Sequence, residues 1–305
     1  MTRRPPGRAE IAATLRAHGI SPSRALGQNF VVDPNVVERV ARLAGVGPGD
    51  RVVEIGAGLG SLTVALAATK AHVLAVEIDR YLEPLLRELV EPLGVTVLRA
   101  DAMACDWAEL LGAEAGAAGE AVPEPGWVLV ANLPYNIATP LVLDLLVEVP
   151  AISRMLVMVQ REAGERLAAG PGSSAYGAVS VRVSYFADAR VVARVPADVF
   201  LPRPKVESVL VEIIRRAEPA VPVSTAGFEE IDRLVRAGFA GRRKMLRRSL
   251  AGMVTEEAFC AAGVEPTRRP EEIGIETWGK LAACARAMPT KPVVGESPGT
   301  EIPPS

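Results

Sequence analysis

The feature that most constrains the fold is a short apolar strand pattern that ends in a glycine-rich turn. Residues 51–55 form the strand pattern, residues 56–60 (Gly-Ala-Gly-Leu-Gly) form the turn, and an apolar helix pattern follows from 61 to about 68. Strand, glycine turn and helix form the first half of a nucleotide-binding βαβ unit. A dinucleotide-binding turn places its third glycine at position 61, where this chain has serine. The turn therefore suits a ligand without a pyrophosphate, and the nearby Glu54 favours a cationic one.

The next two strand patterns end in acidic residues. Glu77 ends the pattern that begins at residue 72 and lies 21 positions after Gly56, close to the roughly 20 expected of an acid that binds ribose hydroxyls. Asp79 is the expected N-cap of the following helix. The third pattern, residues 95–99, leads into Asp101, which either accepts a hydrogen bond from an adenine amine or caps the helical turn after it.

A fourth strand pattern, residues 128–131, stops abruptly at Asn132-Leu133-Pro134-Tyr135. Pro134 removes a backbone donor and turns the chain where it leaves the sheet. Ligands of open α/β sheets bind outside the carboxyl ends of the strands. The Asn132 side chain and the Leu133 carbonyl can accept hydrogen bonds from the exocyclic amine of a base, while Tyr135 stacks on its face. The alternative is an ordinary tight turn after a buried strand.

Loops elsewhere have less specific patterns. Residues 23–32 are polar, with a glycine and a phenylalanine, and are either a binding loop or an ordinary connection to a helix that starts at Pro34 after the N-cap Asp33. Residues 112–126 are of low complexity and predict a flexible surface insertion.

Two strand patterns follow at 178–185 and 189–195. The prolines of residues 199–206 predict an extended segment that presents Lys205 and Phe200. Phe200 is either a second aromatic wall for a base or a core side chain.

A basic cluster lies in the C-terminal part, where the pattern changes to short helices. Residues 242–248 hold five basic residues: Arg242, Arg243, Lys244, Arg247 and Arg248. On a helix they form one basic face, and Leu246 and Leu250 form an apolar one. Such a face is either solvated or binds a phosphate backbone. So high a density of positive charge in a chain of net charge -2 favours binding to a polyanion. We expect a basic arm and short helix at 1–20, a main domain at 21–216, an RNA-binding helical domain at 217–288 and a disordered tail at 289–305.

Composition excludes several classes of protein. No apolar run approaches the roughly 18 residues of a membrane span, and the basic N-terminus leads into a helix pattern rather than a signal sequence. A cytoplasmic protein without a membrane is expected. The three cysteines have no metal-binding spacing and there are only two histidines, so no metal site is predicted.

Seven of these stretches, in their order and spacing, resemble the ribosomal RNA adenine dimethyltransferases, the KsgA family, over about residues 20–286. The matching stretches are residues 26–30, 54–60, 77–79, 101–102, 132–135, 200–206 and 242–246. The resemblance implies an α/β fold with the Rossmann-like, seven-stranded, mostly parallel sheet of class I methyltransferases and a small all-helical C-terminal domain. It also implies S-adenosylmethionine as the methyl donor and small-subunit ribosomal RNA, in a precursor small ribosomal subunit, as the partner of a monomeric enzyme.

The resemblance also implies roles for individual positions. The cofactor site would be lined by Gln28, Asn29, Val31, Gly56, Gly58, Glu77, Ile78, Asp101, Ala102 and Asn132. Catalysis would rest on Asn132, Leu133, Pro134, Tyr135 and Phe200. RNA would be bound by Lys205, Arg242, Arg243, Lys244, Arg247 and Arg248. Where the family commonly has leucine this chain has Val31, a change that a backbone contact tolerates.

Two other functions compete with small-subunit RNA dimethylation during ribosome biogenesis. Adenine methyltransferases of large-subunit RNA, which confer macrolide resistance, are similar through the catalytic domain. The basic residues 242–248 and the C-terminal residues 268–281 fit the small-subunit enzymes better. From a different class, the chain would act mainly as an assembly factor of the small subunit, with methylation secondary.

Overall fold

The computed structural model describes residues 3–117, 126–241 and 244–288, without the side chains of 113–117. The chain divides into two compact units, with the break between Ala220 and Val221. The strands are Phe30–Val31 (β1), Arg51–Ile55 (β2), His72–Glu77 (β3), Thr96–Arg99 (β4), Trp127–Asn132 (β5), Ile152–Gln160 (β6), Ala187–Val195 (β7), Phe200–Leu201 (β8) and Ser208–Arg215 (β9).

The α-helices of the first unit are Arg8–Ala17 (α1), Pro34–Ala44 (α2), Ser61–Ala67 (α3), Glu83–Val90 (α4), Trp107–Ala117 (α5), Ala138–Glu148 (α6), Arg161–Leu167 (α7) and Ala178–Phe186 (α8). Those of the second unit are Phe228–Ala240 (α9), Leu246–Ser249 (α10), Glu256–Ala261 (α11) and Ile275–Ala287 (α12). Short 3-10 turns lie at Glu91–Leu93, Ala197–Val199 and Pro270–Glu272.

Seven strands form one sheet in the order β4-β3-β2-β5-β6-β9-β7, and β1 pairs with β8 in a small separate ribbon. The five strands from β4 to β6 are parallel, and β9 runs antiparallel to both of its neighbours. After β2 the chain adds β3 and β4 on one side, and it then returns to place β5 on the other side. The strand order therefore reverses between β2 and β5, where ligands of such sheets bind. The predicted seven-stranded Rossmann-like sheet is confirmed.

The sheet is buried on both faces because its strands are apolar at successive positions. Val53 and Leu129 lie in one hydrophobic cluster, together with residues of α5, α6 and α8. Val52 and Val128, the preceding residues, lie in another with residues of α2, α3 and α4. Adjacent residues of a strand point to opposite faces, so continuous apolar runs of this kind indicate a sheet covered by helices on both sides.

Helix α1 belongs to the first unit and packs on the loops that lead to the site. Its Ile11 and Leu15 are buried in a cluster with Phe30, Leu59 and Leu82. The Arg8 side chain donates to the backbone carbonyls of residues 198 and 200. Arg8, expected in the basic N-terminal arm, therefore belongs to the helix and is held by these bonds.

The second unit is a set of short helices, as the change of pattern predicted. Trp278 of α12 is fully buried, and Gly238 of α9 permits its approach. A Cβ atom at Gly238 would lie 2.6 Å from the Trp278 ring. Arg286 and Glu230 pair at 3.2 Å and tie α12 to α9. Across the described residues of both units, no helix has the length and apolar character that crossing a membrane requires.

Three local predictions are wrong. Residues 178–185 form a helix, not a strand. Ser180 Oγ accepts from Gly177 N at 3.1 Å and donates to the Arg166 carbonyl. These contacts at the start of the helix outweigh the β-propensity of the alternating valines. Asp79 does not cap α4, which begins after Leu82. Lys244 lies outside a helix, because α10 begins only at Leu246.

Other predictions lie partly or wholly outside the described residues. The insertion expected at 112–126 begins as the end of α5, and residues 118–125 are outside the described part. The tail, 289–305, and the two arginines Arg242 and Arg243 are outside it as well.

Candidate active site

A cavity lies at the carboxyl ends of β2, β3 and β5, where the strand order reverses. Eleven of the predicted site residues line it: Gln28, Asn29, Val31, Gly56, Gly58, Glu77, Ile78, Asn132, Leu133, Pro134 and Tyr135. Further lining residues are Leu26, Gly27, Phe30, Glu54, Ala57, Leu59, Ser61 and Leu62. Segments more than a hundred positions apart in the sequence thus meet at one edge of the sheet.

The glycine turn after β2 brings backbone close to this cavity. Gly56 and Gly58 have φ angles of 76° and 58°, a conformation that favours glycine. A Cβ atom at Gly58 would lie 3.1 Å from the Phe30 ring. The Glu77 carboxylate accepts from the backbone N–H of Gly58 at 2.7 Å and from that of Asp79 at 2.9 Å. The turn and the end of β3 are therefore held together by one carboxylate.

Two buried carboxyl groups face the cavity. Glu54 is 2% exposed and Glu77 is 5% exposed. The pKa of Glu54 is raised to about 8, mainly by burial, with the Thr63 hydroxyl opposing the shift and the charge of Glu77 adding to it. Burial also raises the pKa of Glu77, against the opposing effect of its backbone hydrogen bonds. Glu54 Oε2 has no hydrogen-bond partner among the described residues. An unpartnered carboxyl oxygen of this kind suits a cationic or hydrogen-bond-donating group of a ligand.

Asn132 has one satisfied and one unsatisfied end. Its Nδ2 donates to the Asn29 carbonyl at 2.9 Å, and this bond sets the orientation of the amide. Its Oδ1 is buried and finds no partner in the described part of the chain. Leaving a buried acceptor unpaired costs about 1–3 kcal/mol, so the arrangement indicates that a donor from outside the protein binds there.

Tyr135 is held at the edge of the same cavity. Its hydroxyl lies 2.7 Å from Ser208 Oγ, and either atom can donate. Burial raises the pKa of Tyr135, and the bond to Ser208 partly opposes this. The phenol is therefore neutral at physiological pH, and its ring is available for stacking rather than for proton transfer.

The N-terminal loop, residues 23–29, closes one side of the cavity. Gln28 accepts from Ser23 N and donates to Asp79 Oδ2, both at 2.7 Å. Gly27 has a φ of 63°, and a Cβ atom there would lie 2.7 Å from Asn136 Oδ1. The loop therefore packs directly against the segment after β5, which favours the binding-loop interpretation.

Phe200 does not line the cavity. It is fully buried and lies in the hydrophobic cluster between the sheet and α2–α4. Its strand pairs with β1, where Phe200 is opposite Val31, and this pairing directs the ring inward. The structure corrects the prediction of a second aromatic wall: Phe200 is a core side chain.

Asp101 and Ala102 follow β4 at the same sheet edge but are not among the residues that line the cavity. The Asp101 side chain accepts from Met103 N at 2.9 Å, as expected of a residue that caps the next turn. Ala102 is buried, and its carbonyl accepts from the Trp107 indole at 2.9 Å. Their place in a cofactor site stays a prediction.

The predicted RNA-contacting side chains that the structure describes are exposed. Lys205 is exposed in the first unit, and Lys244, Arg247 and Arg248 are exposed in the second. Leu246 and Leu250 are fully buried, so the expected division into a basic and an apolar face holds for α10 even though the helix is short.

One residue of the site, Ser208, was not assigned from the sequence, and Glu54 was linked there to a cationic ligand without being counted among the cofactor residues. Glu54 carries a signal, because a carboxylate within an apolar strand just before a glycine turn is seldom structural. Ser208 lies 73 positions from its partner Tyr135. Only its polarity at the start of an apolar strand sets it apart, so the contact was not predictable.

Comparison with known proteins decides the family. The model of the family described as "Ribosomal RNA adenine dimethylase" matches residues 21–284, and the match includes every cavity-lining residue. The chain belongs to this family. The fold and the set of residues at the carboxyl edge are therefore those of a ribosomal RNA adenine dimethylase.

Several curated relatives of this dimethylase share most of its length. A protein of Kineococcus radiotolerans named "Ribosomal RNA small subunit methyltransferase A" is 45% identical over 269 residues, which cover 87% of this chain and 86% of the relative. A protein of the same name from Moorella thermoacetica is 41% identical, with 91% and 96% covered.

Solved structures show the same fold. The 23S rRNA methyltransferase ErmE is 26% identical with a TM-score of 0.64, covering 84% of this chain and 99% of its own. A dimethyladenosine transferase of Plasmodium falciparum is 23% identical with the same TM-score, covering 83% and 95%. Both structures share the fold of this chain, and both are less similar to it in sequence than the two relatives named for the small subunit, which are 45% and 41% identical.

Proposed function

We propose that this chain transfers methyl groups from S-adenosylmethionine to the N6 atoms of adenines in small-subunit ribosomal RNA, within a precursor subunit, to give N6,N6-dimethyladenine. The observation that carries the proposal is the buried, unpartnered Asn132 Oδ1. It lies in a cavity that Tyr135 also lines. An amide acceptor beside an aromatic ring matches the amine edge and the face of an adenine.

The cavity has the groups that the methyl donor requires. The turn at Gly56 and Gly58 leaves room for a nucleoside next to the backbone. Each Glu77 oxygen accepts one backbone N–H and keeps a lone pair for a ribose hydroxyl. The unpartnered Oε2 of Glu54 complements a ligand with positive charge. The donor supplies a methyl group on a positively charged sulfur, which leaves as a neutral thioether.

The residues of the chain promote attack by orienting a poor nucleophile. The N6 lone pair of adenine is delocalised into the ring. Hydrogen bonds from N6 to Asn132 Oδ1 and to the Leu133 carbonyl favour a more pyramidal nitrogen, and Tyr135 holds the base in line. As the nitrogen–carbon bond forms, the carbon–sulfur bond breaks with its electron pair going to sulfur. The methylated nitrogen then loses a proton to water, so no side chain acts as a strong base.

Basic side chains provide contacts to the RNA backbone. Lys205 in the first unit and Lys244, Arg247 and Arg248 in the second are exposed, so their charges are accessible to a ligand. Such residues bind phosphates without reading sequence. We infer a monomeric cytoplasmic enzyme whose target adenine is selected by the shape of the precursor subunit.

The test is methyl transfer to three acceptors. The purified protein and labelled S-adenosylmethionine are incubated with unmethylated small-subunit particles, naked large-subunit RNA or duplex DNA, and each is digested to nucleosides. Dimethyladenosine from the small-subunit particles alone is expected. Label in the large-subunit RNA would move the assignment to the resistance enzymes, which the lower identity to ErmE disfavours. Donor binding without any transfer would contradict enzymatic methylation and favour an assembly factor.

A further inference from the structure

The aromatic ring of the proposed base site is anchored at its tip. Tyr135 is partly exposed at the cavity, but its hydroxyl turns toward the sheet and lies 2.7 Å from Ser208 Oγ. Ser208 itself is 0% exposed and does not line the cavity. It therefore lies outside the space proposed for the two substrates, and its side chain bonds to Tyr135 among the described residues.

Ser208 is a rigid point of attachment because of its place in the sheet. It is the first residue of β9 and pairs with Gln160 of β6 on one side and with Val195 of β7 on the other. Since β9 runs antiparallel to β6, its first residue lies at the edge where β6 ends. That is the edge that carries the cavity, so the hydroxyl is fixed by two neighbouring strands next to the site.

A fixed hydroxyl removes the freedom that a surface tyrosine otherwise has. The ring plane of a tyrosine is set by two side-chain torsions, and its position varies unless packing or a bond at the hydroxyl restricts both. Stacking on an adenine while Asn132 accepts from N6 requires the two groups to keep one relative geometry. The orientation of Asn132 is set by its bond to Asn29, and that of Tyr135 by its bond to Ser208.

We propose that Ser208 is a positioning residue for methyl transfer, which holds the Tyr135 ring at the angle needed to stack the target adenine. This inference rests on the proposed function. The exposed segment 202–207, which includes Lys205, leads directly into Ser208. Its Glu207 is held by Arg161 through a side-chain bond of 3.1 Å and a backbone bond of 3.0 Å. The anchor is thus continuous with a segment proposed to contact RNA.

The test compares Ser208→Ala, Tyr135→Phe and the double variant in single-turnover methylation of small-subunit particles. A misplaced reacting group costs up to about 100-fold in rate, so we expect Ser208→Ala to lower the transfer rate by roughly 10- to 100-fold. Affinity for S-adenosylmethionine should stay at the wild-type value, because Ser208 does not line the cavity. Tyr135→Phe should lose a similar factor, since it breaks the same bond.

The double variant separates positioning from stability. Each single change leaves one buried hydroxyl unpaired, whereas removing both partners restores most of the stability. A positioning role predicts that the double variant regains its unfolding temperature but not its transfer rate. Recovery of rate together with stability would show a merely structural bond and overturn the inference.

Ser180→Ala is the matched control. Ser180 is also a buried serine, 1% exposed, whose hydroxyl accepts from the backbone N–H of Gly177 before α8 and donates to the Arg166 carbonyl of α7. It should lose stability without losing transfer rate. In NMR titration of labelled tyrosine, Ser208→Ala should move the pKa of Tyr135 further upward, because the bond to Ser208 lowers it.

The outcomes for the inference and for the proposed function are distinct. A Ser208→Ala variant with the wild-type transfer rate overturns the inference and leaves the function standing. A wild-type protein that binds the donor but methylates no small-subunit adenine overturns the function, whatever the variants do.

Discussion

Two polar side chains of the same unit differ in how their hydrogen-bonding groups are used. Arg215, the last residue of β9, donates to four backbone carbonyls, those of Leu145, Leu146, Val149 and Ile152, at 2.8–3.1 Å. Asn132, the last residue of β5, uses its amide nitrogen and leaves its oxygen unpaired. The hydrogen bonds of Arg215 are all made within the protein. The Asn132 oxygen can be paired only when a ligand is bound.

The difference shows what each group contributes. The last carbonyls of a helix run short of backbone donors, and Arg215 donates to three carbonyls at the end of α6, the helix that follows the Asn132 segment. It therefore contributes to folding. Asn132 retains an unpaired acceptor that is unfavourable for folding and useful for binding. Substitutions at the two positions should accordingly separate stability from activity.

The largest expected effect is on the activity of Asn132→Ala. Removing one preorganised hydrogen-bonding group from an active site costs about 10²–10³ in rate. We expect a loss of this size in single-turnover methylation, with only about 1 kcal/mol lost in unfolding free energy, because the oxygen was unpaired and the one bond removed is that from the amide nitrogen to the Asn29 carbonyl. Arg215→Met serves as the comparison variant and should retain its transfer rate below its unfolding temperature. Full turnover of Asn132→Ala with normal RNA binding would contradict the role of the amide.

The position of Asn132 was accessible from the sequence, but the state of its amide was not. An apolar run that ends in Asn-Leu-Pro-Tyr predicts a strand end, and parallel strands bring their carboxyl ends to one edge. Glu77 was placed by the same reasoning from its distance to the glycine turn. In both cases a local pattern was enough, because the fold class fixes where strand ends lie.

Contacts between distant segments were not accessible in this way. Ser208 and Tyr135 meet only because β9 is inserted antiparallel between β6 and β7. Phe200 turns inward because of the ribbon formed by β1 and β8. The valines of residues 179–183 alternate as in a strand, yet packing of α8 on α6 and α7 decides for a helix. In each case tertiary contacts, not local preference, determine the outcome.

The next largest effect is on the stability of Arg215→Met. Four carbonyls lose the Arg215 donor, of which those of Leu145 and Val149 keep a backbone N–H, and the flexible apolar side chain replaces only the packing. We expect a loss of about 3 kcal/mol in unfolding free energy, measured by chemical denaturation. Arg190→Met is a suitable control, since Arg190 makes an exposed ion pair with Glu212 of a kind worth about 0–1 kcal/mol. Equal stability of the two variants would mean that the four bonds of Arg215 add nothing to the fold.

The smallest expected effect is on the pH dependence of stability and concerns Glu54. It extends the comparison of Asn132 with Arg215 to a third buried polar side chain. Like Asn132 it has a buried oxygen without a partner in the described residues, but its group can take up a proton. Its pKa in the folded chain is about 8, against an ordinary value of 4.5. Between pH 4.5 and pH 8 the Glu54 carboxyl therefore keeps its proton in the folded state and has lost it in the unfolded state. The associated stability is fully present below pH 4.5 and is lost as the pH rises through 8.

Glu54→Gln keeps the shape of the side chain and removes the titration. At pH 5 the unfolding free energy of the variant should match that of the wild type. At pH 9 it should be higher than that of the wild type by roughly 2 kcal/mol. This difference is smaller than the full pKa shift implies, because relaxation of the protein reduces the cost of the buried charge. Binding of the cationic donor should favour the charged carboxylate and release a proton near pH 7, measurable by calorimetry in buffers of different ionisation enthalpy. Glu54→Gln should abolish that release. The role of Glu54 is contradicted if the variant and the wild type show the same pH dependence of stability and the same proton release. Glu54 would then not bind the positive charge of the donor. Of the two residues with an unpaired buried oxygen, Glu54 and Asn132, only Asn132 would have a role in binding.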